Sequence, residues 1–137
     1  MQKAAIVAGL AALLLVASGP GCGDDEPRPM LSQAQAAGVG AACTQDINCS
    51  DGGMSCLAFK GGYCGVADCT ADTVCPAGSA CVAHDDGTNY CFLICTDKLQ
   101  CNQTRPVDAE ANCSANITFV NPNTDATWKA CVPPSST

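Results

Sequence analysis

Large side chains are what this chain has least of, with three Phe, two Tyr and one Trp in 137 residues. The 47% hydrophobic fraction is misleading, because Cys, small Ala residues and an apolar start inflate it. Basic residues are also few, six Lys and Arg against thirteen Asp and Glu, for a net charge of −7. Removing the first 21 residues takes away only Lys3 and makes the balance more acidic. Such a surface repels phosphate backbones and anionic headgroups, so nucleic acid is not an expected partner. There is one histidine, His84, which the sequence sets in a polar turn beside Asp85 and Asp86 and which reads as an exposed loop residue. No Ser or Cys nucleophile stands at a defined spacing from it. The chain has no Cys-x-x-Cys redox motif, no glycine-rich phosphate loop and no recognisable acid/base pair. We therefore expect no catalytic residue, no cofactor and no enzymatic activity. The apolar run Ala4 to Ala17 falls short of the ~20 residues that span a bilayer.

Cysteine is what the chain has instead, thirteen in all. This density in a small chain points to a disulfide scaffold in an oxidising compartment. The spacing is periodic. Cys43, Cys69 and Cys95 stand 26 residues apart, as do Cys49, Cys75 and Cys101, and each unit opens with Cys-Thr: CTQDINC, CTADTVC and CTDKLQC. Unit one holds Cys43, Cys49, Cys56 and Cys64; unit two Cys69, Cys75, Cys81 and Cys91; unit three Cys95, Cys101, Cys113 and Cys131. Segments this short need disulfides or metals to fold. Zinc ligands come in pairs two to four residues apart, and only Cys91 and Cys95 approach that, so no metal site is expected. Connectivity is not readable from spacing, since twelve cysteines allow about ten thousand pairings by the usual counting. Four per repeat favours two bridges inside each unit, first to third and second to fourth.

Within the units, Asp46 and Asp72 hold the same place, which unit three gives to Lys98 with Asp97 just before it. A carboxylate here reads as a turn residue bonding nearby backbone N–H groups. One per unit is too few for calcium, which takes ~6–8 oxygens. The second half of each unit reads as a hairpin, with Gly61-Gly62 and Asp86-Gly87 at the turns of units one and two. Tyr63 and Tyr90 precede the closing cysteines and are expected to cover the local disulfides. Unit three is expected to enlarge the plan, running Ile117–Val120, a turn over residues 121–125, then Ala126–Val132, with Trp128 packed inside. Asn48, Asn102, Asn112 and Asn116 each begin Asn-x-Ser/Thr and read as polar turn residues.

At the start, Lys3 gives a short positive region, Ala4 to Ala17 an apolar stretch, and Ser18-Gly19-Pro20-Gly21-Cys22 a run of small residues before a cysteine. These residues resemble a bacterial lipoprotein signal, although Gly19 and Pro20 depart from the usual residues there. The resemblance implies that Cys22 becomes the lipidated (palmitate-bearing) N-terminus of the mature chain. Parity agrees, because assigning a lipid to Cys22 leaves twelve cysteines to pair. In such lipoproteins an Asp after the cysteine commonly retains the protein at the inner membrane. Gly23 stands here, so the resemblance implies the outer membrane. Asp24 to about Ala42 is acidic, then rich in Pro, Gln, Ala and Gly; it reads as a flexible tether, with any transient helix over Leu31 to Ala37 ended by Gly38 and Gly40.

The whole pattern resembles cysteine-rich bacterial lipoproteins built from short repeats. The C-x-x-D-x-x-C segments also look like pieces of whey acidic protein modules, without that family's adjacent Cys-Cys, and so carry no inhibitor function across. The reading is a small disulfide-rich fold, mostly β-hairpins and loops. Its expected divisions are a signal peptide (1–21), Cys22 with a flexible linker (22–42), and cysteine-rich units over 43–68, 69–94 and 95–137. The function expected is that of a non-enzymatic envelope lipoprotein, membrane-tethered through its lipid, that binds a protein or glycan or covers the surface. The alternative is a secreted, disulfide-locked inhibitor or toxin-like effector. The hairpin tip His84–Asn89 and the enlarged unit three, where the copies differ most, are the candidate functional regions.

Overall fold

Each Cys-Thr opening folds into one short helical turn, and a side-chain oxygen holds the turn in place. In the computed structural model, which describes residues 31–49, 53–121 and 127–136, these turns are Asp46–Asn48, Asp72–Val74 and helix α2 (Lys98–Cys101). Asn48 Oδ1 accepts from the backbone N–H groups of Thr44 and Gln45 at 3.0 Å each, and Gln100 Oε1 accepts from Thr96 N–H at 2.7 Å. The equivalent aspartates reach further than a local turn. Asp46 accepts from Cys56 N–H at 2.8 Å and Asp72 from Cys81 N–H at 2.9 Å, so each ties the opening turn to the third cysteine of its unit. In unit three the side chain of Asp97 caps α2 by accepting from Gln100 N–H at 3.0 Å.

Short antiparallel pairs follow the turns. Strand β1 (Ser55–Leu57) pairs with β2 (Tyr63–Gly65), and β3 (Ser79–Ala83) with β4 (Asn89–Cys95). The register sets the third cysteine of each unit opposite the fourth, as Cys56 opposite Cys64 and Cys81 opposite Cys91. Six disulfides close the units: Cys43–Cys56, Cys49–Cys64, Cys69–Cys81, Cys75–Cys91, Cys95–Cys113 and Cys101–Cys131. Every bridge runs first to third or second to fourth inside one unit. At ~2–4 kcal/mol each, they supply much of what so small a core lacks. The signal-like start, Cys22 and residues 122–125 of the expected turn lie outside the described residues.

Unit three keeps the pairing rule and departs from the expected hairpin. Cys113 of β5 (Asn112–Ser114) faces Cys131 of β7 (Lys129–Val132). The segment expected to pair with β7 instead forms β6 (Thr118–Phe119), which pairs with β3 of unit two. The physical reason is the disulfide register: Cys113, not Ile117–Val120, must lie beside Cys131, so the intervening chain finds the free edge of β3. Trp128 accordingly meets Phe119 of β6, ring centroids 6.0 Å apart, and stays 36% exposed.

The units are joined rather than strung in series. Strand β4 begins in unit two and ends at Cys95 of unit three, and the second sheet runs in the order β5-β7-β4-β3-β6. Cys91 N–H donates to Val66 carbonyl at 2.9 Å, and Lys60 N–H to Pro134 carbonyl at 3.0 Å. One apolar cluster draws on the whole body, including Leu57, Tyr63, Val82, Phe92 and Leu93. The tyrosines, expected as covers for local disulfides, take part in the common core. Tyr63 is fully buried, its hydroxyl accepting from Leu93 N–H at 3.0 Å, and both Tyr63 and Tyr90 pack on Phe59 and Phe92.

Residues 31–42 correct the expectation of a flexible tether up to Ala42. Helix α1 (Gln33–Ala36) starts with a capping box between Ser32 and Gln35. Ala34 and Val39 are buried in the common cluster. Gly40 N–H donates to Cys64 carbonyl and Cys64 N–H to Ala41 carbonyl, both at 2.9 Å, which adds this segment beside β2. The composition hid this because small residues fit where large ones do not: Ala34 sits against Gly78.

Arg105 fastens the arrangement. It is 8% exposed and hydrogen-bonds the carbonyls of Ala109, Gly40, Gly62 and Lys60 at 2.7–3.2 Å, with its guanidinium 5.6 Å from the Tyr63 ring centre. Four carbonyls from three parts of the chain thus converge on one planar fork. Burial pulls its pKa below that of a solvated guanidinium.

Candidate ligand-binding cleft

The enlarged unit three bends the sheet into a trough. Strands β5 and β6 are its opposite edges, yet only residues 115–117 connect them. Five flat strands would set their edges roughly 19 Å apart at the normal strand spacing. From Ser114 to Thr118 the chain spans at most ~14 Å. The sheet must therefore curl so that its edges approach.

A cavity of about 420 Å³ lies between those edges. Asn112 and Ser114 come from β5, Asn116 from the connection and Thr118 from β6, while His84 and Asp85 come from the β3–β4 hairpin tip. Its apolar walls are Val82, Ile117, Val132 and the Pro133-Pro134 pair. Asp85, Asn112, Asn116 and Thr118 are exposed. Among the described residues, no Lys or Arg lines it. The volume is within the ~300–1,000 Å³ usual for small-molecule sites.

The hairpin tip is held firmly. Gly87 takes φ +86°, Gly87 N–H donates to His84 carbonyl, and His84 N–H to Thr88 carbonyl, both at 3.0 Å. Asp86 accepts from Thr88 N–H and from the Tyr90 hydroxyl, each at 2.9 Å, and lies 3.3 Å from His84 Nδ1. These contacts, the Thr88 N–H foremost, hold the Asp86 pKa below its ordinary value. Burial, aided by the Asp86 carboxylate, pushes Tyr90 up. His84 is not the exposed loop residue expected from its polar neighbours. Its ring packs edge-on to Phe59 at 5.4 Å, Tyr90 at 5.7 Å and Phe92 at 6.0 Å, and its side chain is only 12% exposed. The cause is Phe59 of unit one, which covers the tip from a part of the chain that local sequence does not reveal.

Both regions singled out in the sequence thus meet at one place. The polar triplet Asn112, Ser114 and Asn116 had only its Asn-x-Ser/Thr pattern as a signal. Pro133-Pro134 and Arg105 carried none. Of the other two Asn-x-Ser/Thr positions, Asn48 secures the first turn and Asn102 bonds Ala111 through both its Nδ2 and Oδ1.

Three cysteine sulfurs in each unit lie within 4.8 Å of one another, as in Cys43, Cys49 and Cys64. They crowd because the two cystines of a unit lie side by side. Each sulfur is already bonded to another, so none offers a thiolate to a metal. Among the described residues no helix is long and apolar enough to cross a membrane. Six disulfides mark a protein of an oxidising, extracellular or envelope compartment. The chain matches no protein-family model, and neither a curated protein nor a solved structure matches it significantly.

Proposed function

We propose that this protein is a non-enzymatic lipoprotein of the bacterial envelope, tethered at the outer membrane through acylated Cys22, whose disulfide-locked body binds a ligand in the trough between β5 and β6. The observation that carries the tether is the closure of the cysteines. All twelve in the body pair with one another, which leaves Cys22, directly after a run of small residues, as the thirteenth and odd one. An odd cysteine in an exported chain calls for a chemical fate, and acylation supplies one. The non-enzymatic reading draws support from His84, whose ring is taken up by aromatic packing and whose Nδ1 lies against Asp86. The binding reading draws support from the contrast between units. The segment of unit three that departs from the common plan, Asn116 to Thr118, closes the trough against β5 and the hairpin tip of unit two.

Fractionation of cells that make the full chain tests the tether. The expected result is protein in the outer-membrane fraction with an acyl-modified Cys22, and loss of that partition in Cys22→Ser. An unmodified chain recovered from the culture medium would overturn the tether and favour a released inhibitor or effector.

A further inference from the structure

We infer that the trough takes an uncharged saccharide; this rests on the binding reading above and specifies its ligand. Charge removes the first class of competitors. With no Lys or Arg among the described lining residues and a chain of net charge −7, nothing there compensates a phosphate, sulfate or carboxylate. An extended peptide would need a strand edge to lengthen the sheet. The edges here are three residues (β5) and two residues (β6), too short to register an added strand. A helical peptide would need a continuous apolar stripe. Here the lining mixes polar side chains from β5, β6 and the hairpin tip with the apolar ones.

What the wall offers is the complement of a sugar. The amides of Asn112 and Asn116 both donate and accept, as do the hydroxyls of Ser114 and Thr118, so each matches a ligand hydroxyl in either direction. The Asp85 carboxylate accepts from two adjacent hydroxyls. Pro133, Pro134 and Ile117 line the wall and supply C–H groups for the apolar face of a pyranose ring. His84, its ring packed on Phe59, Tyr90 and Phe92, closes the trough at the hairpin tip. The frame is rigid at both ends: Cys95–Cys113 ties β5 to the end of β4, and Cys69–Cys81 anchors β3. A site whose groups are already in place loses less entropy on binding.

The test uses the detergent-extracted full chain and ligand-observed NMR with neutral probes: glucose, galactose, mannose, N-acetylglucosamine and their disaccharides at millimolar concentration. The expected result is saturation transfer to at least one of these sugars. Binding should weaken by about tenfold, ~1.4 kcal/mol, in Asp85→Asn and in Asn112→Ala, both at exposed positions outside the apolar cluster. Lys98→Ala, away from the trough, should leave it unchanged. No transfer from any probe, or transfer that survives both trough substitutions, overturns the inference. Acylation of Cys22 is scored on the same material by mass spectrometry. Failure with sugars beside a lipidated Cys22 sinks the saccharide assignment alone, whereas an unmodified Cys22 sinks the tether.

Discussion

Single residues here carry loads that a larger core would spread. Arg105 supplies four charge-assisted hydrogen bonds to buried or half-buried carbonyls, and its loss leaves those carbonyls without that donor. We predict that Arg105→Ala lowers stability by about 3 kcal/mol in denaturant unfolding of the oxidised protein, and that Arg105→Lys recovers less than half of that. Gly62 is a second such residue. It takes φ +69°, and a Cβ there would collide with the Cys43 backbone carbonyl. Gly62→Ala should therefore reduce the yield of correctly bridged protein, read as a loss of the Cys43–Cys56 peptide in non-reducing digests. Tyr63 sets the alkaline limit. Its burial raises its pKa above the ordinary value of 10.0, against smaller lowering effects from Leu93 N–H and Arg105. Between the two values the unfolded chain has lost the proton and the folded one retains it, so stability is complete below pH 10 and falls as pH rises beyond it. Tyr90 shifts in the same direction. Melting temperature against pH should drop above about 10, and Tyr63→Phe should make that drop shallower.

At the scale of elements, the repeat explains what was legible and what was not. The Cys-Thr turns, the hairpin glycines and the within-unit pairing follow from residues close in sequence, because each bridge closes a short loop, with partners 12 to 30 residues apart. The destination of β6 follows from a distant edge, and the packing of His84 from Phe59, so neither leaves a local trace. The segment 31–42 misleads for a different reason. Its small, weakly apolar residues have a composition typical of linkers, while Ala34 sits against Gly78, Gly40 against the Tyr63 ring and Val39 in the common cluster. Deleting residues 31–42 should lower stability by at least ~2 kcal/mol, the scale for exposing Val39 and the apolar surface that it covers. Faster amide exchange at Cys64, whose N–H bonds Ala41, would report the same loss. Equal stability with and without the segment would restore the tether reading for it.

For the molecule as a whole, three copies of one cystine plan do not yield three domains. Strand β4 passes from one unit into the next, and the apolar cluster belongs to all of them. Private disulfides and shared packing have separate roles. Bridges shorten the loops of the unfolded chain, and the common core orients the units. The copy that departs from the plan forms the trough, with part of its wall and its β3 support supplied by unit two. The cystine pattern underlies all of this, because it sets the strand registers and sets Cys22 apart. Peptide mapping of the unreduced protein by mass spectrometry is its most direct test. The expected bridges are Cys43–Cys56, Cys49–Cys64, Cys69–Cys81, Cys75–Cys91, Cys95–Cys113 and Cys101–Cys131, with Cys22 in no disulfide. Bridges between units, or a disulfide at Cys22, would contradict it.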